Sequence, residues 1–236
     1  MNHKYLLALL FLTISHLAFA QFAKIIDKDG YVNVRKQATV NSPIVSKIGA
    51  DEIVYAFSDE KLGDWVSVYY TNSQNKNITG YVHKSRIKLI ESYSQIPNIT
   101  FDESSATFKS KDVTVEIRSN KFDYNKNKQH FSSTQYEDYT VIDKFKGQKL
   151  WGTDGGFPTS HYTSIKATIK GSSTQIPERE IENLFNVNNE FAACYYDELN
   201  DILYITSENS DGAGGYAVLF TIEKGKYKDR VVTMPF

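Results

Sequence analysis

Between residues 31 and 87, apolar and polar positions alternate in short runs. In "YVNVR" (31–35), Val32 and Val34 fall on one face and Tyr31, Asn33 and Arg35 on the other, the period of a half-buried strand. "EIVYAFSD" (52–59), "WVSVYYTN" (65–72) and "ITGYVHKSRI" (78–87) read as further strands. The turn "EKLGD" and the polar loop "SQNKN" separate them, and the last run ends in a single helical turn. Strands this short, divided by turn residues, predict a small barrel or sandwich.

The pattern fades after Leu89. Pro97 and several serines in "IESYSQIPNITFDESS" mark a linker over 91–103. Residues 104–120 then read as a hairpin turning at "SKD", 121–131 as an extended polar loop, and 139–151 as two strands around Lys-Gly. "TSIKATIKG" (163–171) alternates again. "IPEREIENLF" (176–185) is the one helix-like stretch, with Pro177 in its first turn and Ile181, Leu184 and Phe185 on one side. "FAACYYDE", "DILYITSE" and "GYAVLFTIEKGKYKDRVVTM" predict a four-stranded antiparallel meander, its last turn at Lys-Gly. The fold class expected is mainly β: a small N-terminal barrel (21–90), then an antiparallel β-sheet domain (104–236) with one short helix.

The first twenty residues change the picture. Lys4 precedes the apolar "YLLALLFLTI", and Ala18-Phe-Ala20 is a small-x-small cleavage site before Gln21. This is the pattern of a secretory signal peptide, too short an apolar run to span a bilayer comfortably. The chain is therefore expected to be exported, periplasmic or extracellular, with no membrane span after processing. Formal net charge is -1, with lysines and acids interspersed, which argues against nucleic acid as partner. The single cysteine, Cys194, permits no internal disulfide and reads as a small buried hydrophobe.

The order and spacing of "GYVNVRKQATVNSPIVSKIGADEIVYAFS", "GDWVSVYY" and "TGYVHKSRI" resemble the bacterial SH3 (SH3b) domain family over residues 24–90. Tyr81 stands where that family more often has Trp. The resemblance implies an SH3-like barrel of five to seven strands that serves as a binding module for peptidoglycan, a peptide or an envelope protein. The ligand-binding candidates are Asn33, Arg35, Tyr55, Trp65, Tyr69 and Tyr81. Trp65 also reads as a core residue, and Arg35 as a structural donor to loop carbonyls.

Two glycine-rich loops hold the remaining chemistry: "WGTDGGFP" (151–158) and "ENSDGAGGY" (208–216). A phosphate cradle leads into a helix, whereas a strand follows the second loop. Glu208, Asn209 and Asp211 supply oxygens for calcium but lack the bidentate glutamate of an EF-hand. A hairpin connection is the simpler reading, with Trp151, Asp154, Asp211 and Tyr216 as ligand contacts where the two loops converge. No G-x-S-x-G, H-E-x-x-H or C-x-x-C motif is present, and Ser160 and His161, adjacent on a strand, face opposite ways. No catalytic residue, metal or cofactor is assigned. The expected function is non-catalytic recognition in the bacterial envelope. The alternatives are a cell-wall hydrolase using Asp154 and Asp211, and an inhibitor or immunity protein that blocks a partner enzyme.

Overall fold

The structure is a computed structural model that describes residues 19–235. Most of the expected signal peptide, residues 1–18, lies outside the described residues. The chain is mainly β, as expected. Its first seven strands are β1 (Phe19–Ile25), β2 (Tyr31–Arg35), β3 (Ile44–Gly49), β4 (Ile53–Ser58), β5 (Trp65–Thr71), β6 (Asn77–His83) and β7 (Ile87–Leu89). They form one sheet in the order β3-β2-β6-β5-β4-β1-β7. All seven contribute to one core, among them Ala23, Val34, Ile48, Val54, Val68, Val82 and Ile87. One face of a sheet can meet itself in this way only if the sheet curls.

The rest of the chain builds three more antiparallel sheets. β8 (Ser94–Ile96), β9 (Asn98–Asp102), β10 (Ser105–Lys109) and β11 (Val113–Lys121) come first. After the four-residue helix α1 (Tyr124–Asn127) follow β12 (Phe131–Gln135), β13 (Thr140–Phe145), β14 (Gln148–Lys149), β15 (Ser160–Ile169) and β16 (Ser172–Gln175). β17 (Ala192–Asp197), β18 (Ile202–Asn209), β19 (Tyr216–Glu223) and β20 (Lys226–Thr233) close the chain. The sheets are ordered β16-β15-β11-β10-β9, β12-β13-β14 and β20-β19-β18-β17-β8.

The last of these sheets is central. Cys194, Tyr196, Leu203, Ile205, Val218 and Phe220 pack from it onto β10, β11 and β15. The alternate residues Tyr195, Ile202, Tyr204, Ala217 and Leu219 pack the other way, onto Phe22, Ile53 and Tyr55 of the curled sheet. Both faces are therefore covered, which is why "YAVLF" is an unbroken apolar run. At about 25 cal/mol per Å² of apolar surface, each buried side chain of this kind contributes roughly 1.5–3 kcal/mol.

Three sequence expectations change. Residues 91–103 are not a free linker: β8 pairs with β17, matching Ile96 to Cys194, and β9 pairs with β10. Pro97 sits between the two strands, where no ladder needs its missing N–H. Residues 176–185 form only a 3-10 turn at Glu178–Glu180. Arg230 claims the Glu180 carbonyl, and the backbone of Asn183 and Phe185 bonds to Trp151, so helical hydrogen bonds are forgone. The one short helix lies instead in the expected loop, at α1, where the Asp123 carboxylate caps the Lys126 N–H. The hairpin at 110–112 and the Lys224-Gly225 turn, with φ of 50° and 72°, are as the sequence indicates. Among the described residues no helix is long and apolar enough to cross a membrane.

Lys24, buried on β1, places its ammonium 2.7 Å from Asp51. The hydrogen bond from Lys24 holds the Asp51 carboxyl below its usual range, against a smaller opposing effect of burial. A lowered folded-state value stabilises the fold above the ordinary carboxylate range, and the effect is lost as pH falls through the folded value. Asp51→Asn is expected to unfold at lower urea than the parent at pH 6. That gap should close as both are titrated below about pH 4, the ordinary carboxylate value. A gap independent of pH would contradict the pairing.

Candidate ligand-binding cleft

The outward residues of β2, β5 and β6 make a cleft of about 580 Å³ on the curled sheet. Its wall includes Tyr31, Asn33, Arg35, Trp65 and His83. β2 contributes Tyr31, Asn33 and Arg35 because its alternate residues Val32 and Val34 are claimed by the core. Trp65 and His83 face each other across the β5–β6 ladder, rings edge to face at 5.5 Å. His83 Nδ1 accepts the Ser85 N–H at 3.2 Å, which holds the ring beside Trp65. Arg35 donates to the Ser42 carbonyl at 2.7 Å, which fixes the loop carrying Thr39 and Val40 on the opposite rim.

The cleft is charged on both sides. Asp27, Asp29, Arg35 and Arg86 all line it, so the lining acids and arginines balance. The Asp27 side chain is 7% exposed and lies 3.3 Å from Arg86, while the Lys47 ammonium covers the Tyr31 ring at 3.9 Å. A half-exposed aromatic platform flanked by fixed donors and acceptors of both signs suits a peptide-like ligand.

Of the six residues proposed from the sequence, the cleft gathers Asn33, Arg35 and Trp65. Tyr69 and Tyr81 occupy neighbouring positions, paired with Thr79 and Ser67, but lie outside the lining. Tyr55 is 1% exposed and belongs to the core beneath the central sheet, not to this cleft. Tyr31, His83, Asp27 and Arg86 were missed. Tyr31 was findable, since it shares a face with Asn33 at a spacing of two; His83 faces Trp65 only through a register that the sequence does not state.

The two glycine loops do converge. Gly214 packs so tightly on the Thr153-Asp154 backbone that a Cβ there would lie 3.0 Å from the Thr153 carbonyl carbon. Ser210 donates to the Gly152 carbonyl at 3.0 Å. An asparagine set fastens the assembly. The Asn186 carboxamide oxygen accepts from the Thr159 N–H and hydroxyl, and its nitrogen donates to Gly152. Asn209 Oδ1 accepts from the Tyr162 hydroxyl, the Asn188 N–H and the Ser207 hydroxyl, so it has no capacity left for calcium.

The contacts proposed around these loops separate. Tyr216 is completely buried, its hydroxyl bonded to the Phe185 carbonyl at 3.0 Å, and thus holds structure rather than ligand. Trp151 is half-buried against Tyr216 and covered by the Lys149 ammonium at 3.8 Å. Asp154 and Asp211 are exposed, and no hydrogen bond or ion pair among the described residues orients either carboxylate. No group of three or more His, Cys, Asp or Glu among the described residues is placed to hold a metal ion. Cys194 is fully buried, and burial pushes its thiol well above the ordinary value, which disfavours the thiolate.

Gly152 is the tightest point of the loop assembly. Its φ is +95°, and a Cβ would lie 2.1 Å from the Phe185 carbonyl oxygen. Gly155 has φ +65° but open space around it. Gly152→Ala is expected to lower the melting temperature by about 5 °C or more, and Gly155→Ala by clearly less. Equal shifts in a thermal melt would contradict the packing described.

Comparison of the chain with known protein families, curated proteins and solved structures finds no match.

Proposed function

We propose that the chain is an exported, non-catalytic binding protein of the bacterial envelope whose first unit is an SH3-like barrel of the bacterial SH3 type. The signal pattern ahead of Gln21 supports export. The resemblance over residues 24–90 supports the barrel assignment, and the curled seven-stranded sheet is compatible with it.

The observation that carries the binding reading is the 580 Å³ cleft, which brings Asn33, Arg35 and Trp65 together with Tyr31 and His83. Its ligand is a peptide or the peptide part of peptidoglycan. Arg35 and Arg86 meet carboxylates or carbonyls, Asp29 meets amines or amides, and a side chain or sugar ring lies on Trp65 and Tyr31.

The test is co-sedimentation of the processed chain with purified peptidoglycan sacculi and with sacculi stripped of stem peptides. The intact chain should pellet with the first and not the second. Trp65→Ala and Tyr31→Ala should each weaken binding by about tenfold, the cost of losing a central aromatic anchor. Unchanged pelleting of both variants, or release of soluble fragments from the wall, would contradict the reading.

A further inference from the structure

Beside the β9–β10 hairpin lies a second recess, of about 820 Å³. Separate segments build it: the hairpin itself, the end of β11, the start of β15 and the residues ahead of β17. It shares no lining residue with the cleft on the curled sheet.

Its walls are held from behind. Asn189, 4% exposed, sends its amide to the Ser119 hydroxyl at 2.9 Å and to the Asp102 and Glu103 carbonyls at 3.3 Å. One side chain thus ties the hairpin to β11. Across the recess, Ser160 Oγ accepts the Val187 N–H at 3.1 Å, and Asn186 Oδ1 clamps Thr159. β15 also carries an extra residue against the Arg118–Ser119 step of β11. Lys121 therefore pairs with Ser160, where an unbroken register would give His161. A bulge re-aims the side chains beyond it, and Asn120, Lys121 and Ser160, just beyond this one, all line the recess.

The lining has hydrogen-bonding capacity to spare. Asn120 and Asn188 each use the carboxamide oxygen on a neighbouring N–H, and neither Nδ2 has a partner among the described residues. The Ser160 hydroxyl, having accepted, still has a proton to donate. Lys121, Glu103 and Glu190 form no ion pair among the described residues. The Asp102 carboxylate is already occupied by Ser104 and Ser105. Phe101 adds one aromatic surface, 55% exposed and opposite the small Ala106.

This combination selects the ligand. A phosphate would meet more carboxylates than lysines, and an apolar molecule would find only Phe101 and Val187. No group of three metal ligands is present among the described residues. A neutral saccharide uses what remains. Its hydroxyls each donate and accept, so they pair with amides, carboxylates and an ammonium alike. The C–H face of its ring lies flat on an aromatic side chain. We propose that this recess is a binding site for a neutral saccharide, with Phe101 as the platform and the Asn120 and Asn188 amides as donors. Because Asn189 and Asn186 fix the walls in advance, little ordering is left to oppose binding. The site is independent of the barrel assignment and of export.

The experiment titrates the whole chain with maltotriose, mannotriose and tri-N-acetylchitotriose, followed by NMR and calorimetry. At least one sugar should bind and shift the Phe101 ring signals. Phe101→Ala removes the platform. Asn188→Asp keeps the oxygen that accepts the Glu190 N–H but removes the free donor. Both side chains lie outside the buried cores, and each variant should weaken binding by about fivefold or more. Trp65→Ala should change nothing, which separates this recess from the barrel cleft. Silence of all the sugars, binding that both variants leave unaltered, or capture of trialanine at Phe101 in their place overturns the proposal.

Discussion

The structure depends on a sheet that is buried on both faces. Along β19 the even positions Tyr216, Val218 and Phe220 pack toward β11 and β15, while Ala217 and Leu219 pack toward β1 and β4. A strand of this kind cannot face water on either side, so neither flanking sheet is dispensable. The curled sheet is therefore not a module on a tether. Its β1–β4 face also covers the second unit's central sheet.

That constraint places two recesses of the curled sheet. The surface of the curled sheet that meets the central sheet is the β1–β4 side, through Phe22, Ile53 and Tyr55. The β2–β5–β6 surface stays open, and there Trp65, His83, Asn33 and Arg35 are presented. A 320 Å³ cavity is the imperfect seam of the packed side, where the ends of β1 and β18 leave the apolar contact and meet three glutamates. The open cleft and the packed seam thus lie on different faces of one small sheet.

Most of the strands were legible because their period of two is written in residue types. "YVNVR" and "WVSVYY" separate valines from polar and aromatic residues cleanly, and they yielded three of the cleft's residues. Tyr55 was misassigned for a physical reason. Alternation says that it leaves the barrel core, but not that a second core waits on the other side. The strand β8 was hidden because three residues beside a proline carry no period, and their pairing partner is about a hundred positions away. The helix expected at 176–185 had the right apolar spacing, yet its backbone is used by Trp151 and Arg230, contacts that spacing cannot reveal. The convergence of "WGTDGG" and "SDGAGG" was visible as shared grammar. The asparagines that fasten it, Asn186 and Asn209, were not, since an amide signals a network only once its partners are in place.

The central claim is that the curled sheet and the following sheets share one cooperative core. The chain's two tryptophans fall one in each unit, Trp65 on the cleft and Trp151 beside the glycine loops. Trp65→Phe and Trp151→Phe give two single-tryptophan chains that each report on one unit. Equilibrium urea unfolding followed by fluorescence should then give the same midpoint for both, matching the loss of β-sheet circular dichroism. Two midpoints, with one tryptophan released while the other remains native, would mean that the seam is a mere contact and the account of the shared core is wrong.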